Sequence, residues 1–399
     1  SHHAALPILF ASLLADGEHR FDTVPHRQDI ASTQDLRASL GAASHRDGDT
    51  LVVNVSSPDA HVADYEMVRK MRAGILCLGP LLARYGEARV SLPGGCAIGS
   101  RPIDLHIETM RRLGADITSE SGYVIARAQR LVGDRILFEK VTVGGTENAL
   151  MAASLASGTT VIENAAKEPE VVDLANYLIA MGARIEGAGT SVITIEGVNA
   201  LKPANHRIVP DRIEAGTLLI AGAITGGSVT VGTCVPEHLQ SLVEKMRDAG
   251  FRIDVGEDSI TVQATDSWRS VDIATAPYPG FPTDLQAQFM ALMTLSSGIC
   301  VIKETIFENR FMHVAELRRL GAQIQTEGNS AVVTGRGPEG LNGARVMATD
   351  LRASSSLVIA ALAAAGRTEI SRIYHLERGY ENLVDKLNGL GARVWKENE

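Results

Sequence analysis

Aromatic residues and cysteines are scarce in this sequence. Phenylalanine, tyrosine and tryptophan together make up 4% of the 399 residues, so any core must be built mainly from aliphatic side chains. The four cysteines show no CxxC spacing, which argues against a structural zinc site and against a disulfide framework. This usage favours a reducing compartment, and we expect a cytoplasmic protein. No apolar run approaches the roughly 18 residues of a membrane-spanning helix.

Positive charge is also in short supply. The chain has 38 lysine and arginine residues against 47 acidic residues, which gives a formal net charge of −9. Such a protein does not attract nucleic acid or acidic membranes as a whole. An anionic small molecule must therefore be held by a local group of arginines. The sequence also lacks the Walker P-loop, GxGxxG, HExxH, EF-hand and nucleophile-elbow motifs, and we predict neither a metal nor a cofactor.

Glycine, in contrast, is abundant, and its positions repeat along the chain. One marker is a Leu-Gly-Ala sequence, or a close variant, that ends a helical stretch. A second marker is a glycine between an apolar helical stretch and a short strand. The first set comprises Gly41, Gly114, Gly182, Gly250, Gly321 and Gly391, and the second comprises Gly17, Gly86, Gly158, Gly227, Gly298 and Gly366. Both sets recur about every 70 residues, which indicates six copies of one structural unit.

Each repeat predicts the same order of elements. An apolar helix ends at a glycine, a strand follows, an amphipathic helix ends at the Gly-Ala marker, and a β-hairpin leads onward. The predicted unit is therefore βαβαββ. A chain of 399 residues is too long for one ordinary core, so we expect two domains of three repeats each, at residues 1–209 and 210–399. The predicted fold class is α/β, with pseudo-threefold symmetry inside each domain.

Several apolar helices are expected to begin with polar capping residues. The candidates are Thr146-Glu147, Thr283-Asp284 and Thr349-Asp350, together with the segment PDRIEAGT at 210–217. Each candidate alone predicts only a helix start. If the repeat brings several helix N-termini to one place, their free N–H groups and partial positive charges would bind phosphate or carboxylate groups there.

One cysteine differs from the other three. Cys96 lies in SLPGGCAIGSRP (91–102), where glycine and proline prevent a regular helix or strand. A thiol in such a loop, followed by Arg101, is typical of a reactive cysteine. The remaining cysteines lie in apolar segments, which are typical of buried and inert thiols: Cys77, Cys234 and Cys300.

Arginines recur at equivalent places in the loops that interrupt the repeat. Arg101, Arg310 and Arg378 follow the first long strand of three different repeats. With Arg72 and Arg352 they would form a cluster suited to bidentate binding of phosphate or carboxylate. The alternative interpretation is a set of unrelated surface arginines.

Asp284 lies at a predicted helix start in FPTDLQAQF. It is either a plain helix cap or, beside the arginines and a substrate hydroxyl, a general base. His313 and His375 are expected to have supporting roles, because the histidines do not pair at the spacing of metal ligands.

Seven segments together resemble the UDP-N-acetylglucosamine 1-carboxyvinyltransferase family, and the match runs from Ala4 to near the C-terminus. They are LPGGCAIGSRPIDLH, ENAAKEPEVVD, PDRIEAGT, FPTDLQAQF, FENRFMHV, MATDLRAS and RIYHLERGYE. The resemblance implies two inverse α/β domains with the active site in the cleft between them. It also implies the reaction, in which the enolpyruvyl group of phosphoenolpyruvate passes to the 3-hydroxyl of UDP-N-acetylglucosamine and phosphate is released. This is the first committed step of peptidoglycan synthesis, on which cell shape and cell division depend.

The resemblance also implies roles for individual residues. Asp284 matches the proposed base, Arg378 matches a catalytic arginine, and Cys96 matches a lid-borne acid that forms an adduct with phosphoenolpyruvate and is alkylated by fosfomycin. Arg101, Arg352 and Arg378 match positions that hold phosphoenolpyruvate, with Arg310 as a neighbour. Positions that contact the UDP-sugar are matched by Arg72, Arg101, Pro102, Ile103, Asp104, Leu105, Lys140, Val141, Thr142, Val143, Asp284 and Ile306.

Two alternatives remain open beside this interpretation. The sister enzyme, 3-phosphoshikimate 1-carboxyvinyltransferase, has a similar fold but is not expected to carry the cysteine loop. A non-catalytic UDP-sugar-binding paralogue is the other alternative, because the family has a Gly-Ala-Lys-Asn stretch where Ser1-His2-His3 stands here. These three residues are typical of an expression-tag remnant, and we expect a family strand and its substrate-binding lysine to precede Ala4.

Overall fold

The part of the chain that the structure describes contains six small β-sheets, in agreement with the six repeats indicated by the glycines. The computed structural model describes residues 2–398 except 27–29, 32–33, 36–37, 39–41, 57–61, 64–73, 92–102 and 121–122. The chain divides between Val209 and Pro210 into an N-terminal unit and a C-terminal unit. Each unit has its own hydrophobic core, built mostly from leucine, isoleucine, valine and alanine, as the shortage of aromatic residues requires.

The N-terminal unit contains twelve described strands and five described α-helices. The strands are β1 (Gly17–Asp22), β2 (Ala42–Asp47), β3 (Thr50–Val55), β4 (Val62–Ala63), β5 (Glu87–Ser91), β6 (Asp116–Glu120), β7 (Tyr123–Arg127), β8 (Arg135–Leu137), β9 (Thr159–Glu163), β10 (Arg184–Glu186), β11 (Val192–Glu196) and β12 (Asn205–Arg207). The helices are α1 (His2–Ala11), α2 (Leu78–Tyr85), α3 (Asp104–Arg112), α4 (Val143–Ala153) and α5 (Pro169–Ala180).

The C-terminal unit continues the numbering with nine described strands and seven described α-helices. The strands are β13 (Val229–Val231), β14 (Ile253–Val255), β15 (Ile260–Val262), β16 (Ile273–Ala274), β17 (Ile299–Lys303), β18 (Gln323–Glu327), β19 (Ser330–Thr334), β20 (Arg345–Met347) and β21 (Glu369–Ser371). The helices are α6 (Arg212–Ile224), α7 (Gln240–Asp248), α8 (Gln286–Met293), α9 (Met312–Arg319), α10 (Leu351–Ala363), α11 (Tyr374–Gly379) and α12 (Leu383–Gly389).

The third and fifth repeats show the predicted βαβαββ unit in full. In the fifth, the elements β16, α8, β17, α9, β18 and β19 follow one another along the chain. Their sheet has the order β16-β17-β19-β18, in which β16 is parallel to β17 and the remaining neighbours are antiparallel. The sheet β8-β9-β11-β10 of the third repeat has the same pattern. The predicted α/β fold class and its repeating unit are therefore confirmed.

Three repeats depart from the simple sequence pattern. The sheet of the fourth, β13-β15-β14, has three strands and no parallel pair among the described residues. The first sheet, β12-β1-β3-β2, takes its parallel edge strand from the far end of the same unit, with Arg20 opposite Asn205. The last repeat forms only the parallel pair β20-β21 among the described residues, although the marker at Gly391 predicts a hairpin beyond it. Residues 392–398 form no strand, and their apolar side chains after Ala392 are confined to Val394 and Trp395.

Three apolar helices, α6, α8 and α10, pack against one another in the C-terminal unit. Asp211 caps α6 by accepting hydrogen bonds from the backbone N–H groups two and three residues later, at 3.0 and 3.1 Å. Asp350 caps α10 in the same way, at 2.9 and 3.0 Å. The capping residue of α4 is Thr142, at 3.1 Å from the nitrogen of Gly145, so the prediction of a start at Thr146-Glu147 was one turn too late.

The glycine markers coincide with helix ends that need a left-handed backbone. Gly182, which follows α5, has φ of +108°, a conformation that a residue with a Cβ rarely adopts. In the fourth repeat the left-handed residue is Gly226, with φ of +69°, and the prediction of Gly227 was off by one position. None of the helices in the described part of the chain is both long enough and apolar enough to cross a membrane.

Candidate active site

The best-defined group of predicted site residues surrounds Asp284 in the C-terminal unit. Asp284 lies in a short 3-10 helix, Thr283–Leu285, which leads directly into α8. Nη2 of Arg310 donates a hydrogen bond to Oδ1 of Asp284 at 2.9 Å, and Nε of Arg352 lies 3.8 Å from the same oxygen. Both arginine side chains are only 5% exposed. These two arginines are therefore not scattered surface residues, because both converge on one carboxylate.

Arg352 is held by more than Asp284. Its Nη1 donates to the hydroxyl of Tyr380 at 3.1 Å, and Tyr380 is 3% exposed. Burial works against the charge of Arg352, but Tyr380, Asp284 and Asp211 favour it, and the pKa of Arg352 is raised. The guanidinium is thus a permanent positive charge enclosed by groups that accept hydrogen bonds or carry negative charge.

A second acid, Glu304, organises the other side of the same site. It is 3% exposed and lies just after β17. Its Oε2 accepts hydrogen bonds from the hydroxyl of Thr275 at 2.6 Å and from the backbone N–H of Ile306 at 3.0 Å. Its Oε1 accepts from the hydroxyl of Thr283 at 2.7 Å and from the amide of Gln286 at 3.2 Å. Four donors therefore fix this buried carboxylate, as its burial requires.

Thr283 links the two acids. Nη1 of Arg310 donates to the hydroxyl oxygen of Thr283 at 2.7 Å, and the hydroxyl proton of Thr283 is donated to Glu304. The chain of contacts runs from Glu304 through Thr283 and Arg310 to Asp284. Ile306, a predicted UDP-sugar contact, is tied to the same network through its backbone nitrogen.

Arg378 is the last residue but one of α11, and this helix packs against α10, which carries Arg352. Burial lowers the pKa of His375, and Arg378 lowers it further whereas Asp350 raises it. Burial also lowers the pKa of His313 to about 4, with Asp350 opposing that shift and Arg310 adding to it. Both histidines therefore lie near Asp350, and each lies near one predicted site arginine, His375 near Arg378 and His313 near Arg310.

The N-terminal unit brings together two stretches that the family resemblance links to the UDP-sugar. Ile103 to Leu105 begin α3, and Lys140 to Val143 lead into α4. The two helices pack so closely that a Cβ at Gly144 would lie 3.1 Å from the ring of His106. Two helix N-termini thus lie side by side, an arrangement that favours an anionic ligand.

Asn148, on α4, connects the segments around these two helix starts. Its side-chain oxygen accepts from the nitrogen of Gly79 at 2.9 Å, and its amide nitrogen contacts the carbonyl of Ile75 at 3.1 Å and Nδ1 of His106 at 3.0 Å. Burial lowers the pKa of His106 to about 4, so the ring is neutral at pH 7 and Nδ1 can accept the amide proton.

The remaining predicted site residues lie outside the described part of the chain: Arg72, Cys96, Arg101 and Pro102. The other three cysteines are free and buried, as predicted. Burial raises the pKa of Cys77 and of Cys300 to about 12 and also raises that of Cys234. These thiols are therefore unreactive at neutral pH.

Sequence reasoning missed several residues that the fold places around Asp284. Glu304 carried a usable signal. It directly follows the apolar strand β17 in the sequence, and an acidic residue in that position indicates a buried carboxylate with specific partners. The partners of Tyr380, namely Thr217 and Gln288, carried none, since each is a polar residue buried among apolar neighbours of a helix.

Comparisons with known proteins agree with this fold. The family model described as EPSP synthase (3-phosphoshikimate 1-carboxyvinyltransferase) matches residues 2–387. The enolpyruvyl transferase NikO from Streptomyces tendae is similar in structure, with a TM-score of 0.90 and 28% identity over 98% of this chain and 93% of that one. EPSP synthase from Acinetobacter baumannii has a TM-score of 0.73 at 17% identity, covers 96% of this chain and 93% of that one, and shares the fold. The class is thus that of the carboxyvinyl transferases.

Closer relatives narrow the class. UDP-N-acetylglucosamine 1-carboxyvinyltransferase from Bdellovibrio bacteriovorus is 63% identical over 392 residues, which are 98% of this chain and 94% of that protein. The enzyme of the same name from Myxococcus xanthus is 55% identical over 398 residues, which are 99% of this chain and 94% of the relative. The chain belongs to the UDP-N-acetylglucosamine 1-carboxyvinyltransferase family.

Proposed function

We propose that this enzyme transfers the enolpyruvyl group of phosphoenolpyruvate to the 3-hydroxyl of UDP-N-acetylglucosamine. The sugar oxygen bonds to C2 of the enol while its proton passes to a base, and C3 gains a proton. The resulting tetrahedral intermediate then loses phosphate and a C3 proton, which restores the double bond in the product. The reaction would be the first committed step of peptidoglycan synthesis in the cytoplasm, with consequences for cell shape and division.

The observation that carries this proposal is the placement of Asp284 between two buried arginines. Arg310 at 2.9 Å and Arg352 at 3.8 Å both contact Oδ1, which holds the carboxylate in one orientation. We assign Asp284 as the base that takes the hydroxyl proton. Phosphoenolpyruvate carries a phosphate and a carboxylate, and Arg352 and Arg378 supply positive charge for both and for the developing transition state.

The UDP-sugar is assigned to the paired helix starts of the N-terminal unit. Ile103 to Leu105 and Lys140 to Val143 offer backbone N–H groups and one exposed lysine to the uridine diphosphate. Arg72, Arg101 and Pro102 complete this assignment. Residues 1–209 and 210–399 are proposed as the two domains, the first with the Cys96 loop and the second with Asp284.

Cys96 is assigned as the acid that protonates C3, as the site of a phosphoenolpyruvate adduct and as the target of fosfomycin. Incubation with fosfomycin followed by peptide mass spectrometry tests the last point. We expect modification of Cys96 that becomes faster when UDP-N-acetylglucosamine is present. Cys77, Cys234 and Cys300 serve as internal controls, because their raised pKa values predict no reaction. An active preparation that is not labelled at Cys96 would contradict the assignment.

Phosphate release distinguishes the proposed reaction from its alternatives. We expect release from phosphoenolpyruvate with UDP-N-acetylglucosamine and none with shikimate 3-phosphate. Asp284→Asn should lower turnover by roughly 10²- to 10⁴-fold, the usual range for a general base. Asp254→Asn is the matched control, because Asp254 also pairs with an arginine, Arg252 at 3.5 Å, but is half-exposed. Release with shikimate 3-phosphate would favour the sister reaction, and binding without turnover would favour a non-catalytic paralogue.

A further inference from the structure

The hydroxyl of Tyr380 is the meeting point of three buried side chains from three different helices. Arg352 on α10 lies 3.1 Å from it, Thr217 on α6 lies 3.0 Å from it, and Gln288 on α8 lies 3.3 Å from it. Tyr380 itself follows α11 directly. One phenolic oxygen therefore connects the three central helices of the C-terminal unit to the arginine that faces Asp284.

The directions of these hydrogen bonds follow from what each group can do. Arginine only donates, so Tyr380 accepts a proton from Arg352. The hydroxyl of Thr217 donates to the backbone carbonyl of Ile213 at 2.7 Å, which leaves its oxygen to accept from Tyr380. The amide nitrogen of Gln288 donates to the backbone carbonyl of Asp284 at 2.8 Å, and this fixes the orientation of the amide. The second N–H of this amide faces the oxygens of both Thr217 and Tyr380, at 3.2 and 3.3 Å, so Tyr380 accepts from Arg352 and shares the Gln288 proton with Thr217.

The backbone next to Tyr380 is fixed as well. A Cβ at Gly379 would lie 2.2 Å from a methyl group of Leu351, so any larger residue would force the side chain of Leu351, the first residue of α10, to shift. Because Leu351 precedes Arg352, this close approach brings Tyr380 and Arg352 together. The short sequence Arg378-Gly379-Tyr380 thus supplies a predicted site arginine, a close backbone contact and the partner of a second site arginine.

We propose that Tyr380 is a positioning residue for phosphoenolpyruvate. It holds the guanidinium of Arg352 in the orientation in which Nε faces Asp284, without itself touching the substrate. This inference rests on the proposed function, in which Arg352 binds phosphoenolpyruvate. It predicts that loss of the phenolic oxygen weakens the use of phosphoenolpyruvate and leaves the binding of UDP-N-acetylglucosamine unchanged.

The test is Tyr380→Phe, which removes one oxygen and keeps the ring. We expect the KM for phosphoenolpyruvate to rise roughly tenfold or more, the fold-change that corresponds to one hydrogen bond to a charged group. The dissociation constant of UDP-N-acetylglucosamine, measured by calorimetry, should stay within about twofold because its proposed contacts do not involve Arg352. A general loss of stability would not raise the KM for phosphoenolpyruvate while leaving the dissociation constant of UDP-N-acetylglucosamine unchanged.

Two further sets of variants separate positioning from folding. Tyr177→Phe removes another fully buried phenolic oxygen, which bonds to His19 in the N-terminal unit, and should lower stability without changing the KM for phosphoenolpyruvate. Thr217→Val removes the acceptor of the Tyr380 proton and should raise that KM in the same direction. Thr217→Ser restores a hydroxyl and should restore the KM.

The outcomes distinguish this proposal from the proposed function. If the wild type turns over both substrates and Tyr380→Phe has the wild-type KM for phosphoenolpyruvate, the positioning role is wrong. Equal losses for both substrates would also overturn it, because they indicate a structural role only. If Tyr380→Phe does not fold, an unchanged KM in Thr217→Val overturns the proposal. If the wild type neither turns over nor binds phosphoenolpyruvate, the proposed function fails first and the inference fails with it.

Discussion

Replacement of Glu304 by glutamine tests whether a buried carboxylate organises the candidate site. Glu304 accepts four hydrogen bonds, two on each oxygen. Glutamine keeps the shape but turns one oxygen into an amide donor. That amide group cannot replace Oε2, because the backbone N–H of Ile306 only donates. It must therefore replace Oε1, where Thr283 and Gln286 now donate.

The size of the effect follows from those two contacts. The Thr283 and Gln286 bonds to Oε1, at 2.7 and 3.2 Å, are both lost or reversed in Glu304→Gln. A hydrogen bond to a charged group contributes about 1.5–3 kcal/mol, and partial rearrangement of Gln286 reduces the loss, so we expect destabilisation of roughly 2–4 kcal/mol. Thr283 would also hold Arg310 less firmly, and kcat/KM should fall about tenfold for each 1.4 kcal/mol lost from the transition state.

Urea denaturation followed by tryptophan fluorescence measures the first effect. Both tryptophans, Trp268 and Trp395, lie in the C-terminal unit, so the signal reports the unit that contains Glu304. Glu316→Gln is the matched control. Glu316 is 8% exposed and accepts one backbone hydrogen bond at 3.0 Å, which an amide oxygen can keep, and its ion pair is with an exposed arginine, Arg319, at 3.8 Å. A Glu304→Gln variant as stable and as active as Glu316→Gln would refute the reasoning.

Two further predictions concern stability. The folded-state pKa of His313 is about 4, against 6.5 for an unperturbed histidine. The stability that its neutral form contributes is therefore present above pH 6.5 and is lost as the pH falls toward 4. Urea titrations at pH 7 and at pH 4 measure how much acid lowers the free energy of unfolding. This decrease should be about 3 kcal/mol smaller in His313→Gln than in the control His45→Gln, and equal decreases would contradict the lowered pKa of His313. A Cβ at Gly197 would lie 1.5 Å from a backbone carbonyl oxygen, whereas Gly232 has open space around it. Gly197→Ala should therefore lower the free energy of unfolding by roughly 3 kcal/mol and Gly232→Ala by much less. Similar urea midpoints for the two variants would contradict this prediction, because they would show that the backbone after β11 can move to make room for the Cβ.

Local signals in the sequence explain most of the fold. The Gly-Ala marker predicted helix ends because a left-handed residue is needed there, and Gly182 has that conformation. Capping was predicted correctly at Asp350, whose side chain accepts from the first turn of α10. It was predicted one turn late at α4, because Thr142 and Thr146 are equally good candidates from composition alone. The pairing of β12 with β1 had no local signal at all.

The sequence by itself determined the βαβαββ repeat, the α/β class, the inert cysteines and the residues that resemble one family of transferases. Periodicity and turn chemistry are properties of neighbouring residues, so they can be read along the chain. Only the tertiary structure decided that Arg310 and Arg352 share one oxygen of Asp284, and that Glu304 and Tyr380 hold them. Thr217 and Tyr380 are 163 residues apart, and no local pattern records a hydrogen bond over that distance. Such partners are selected by burial, because an enclosed polar group must find a donor or acceptor wherever the fold brings one.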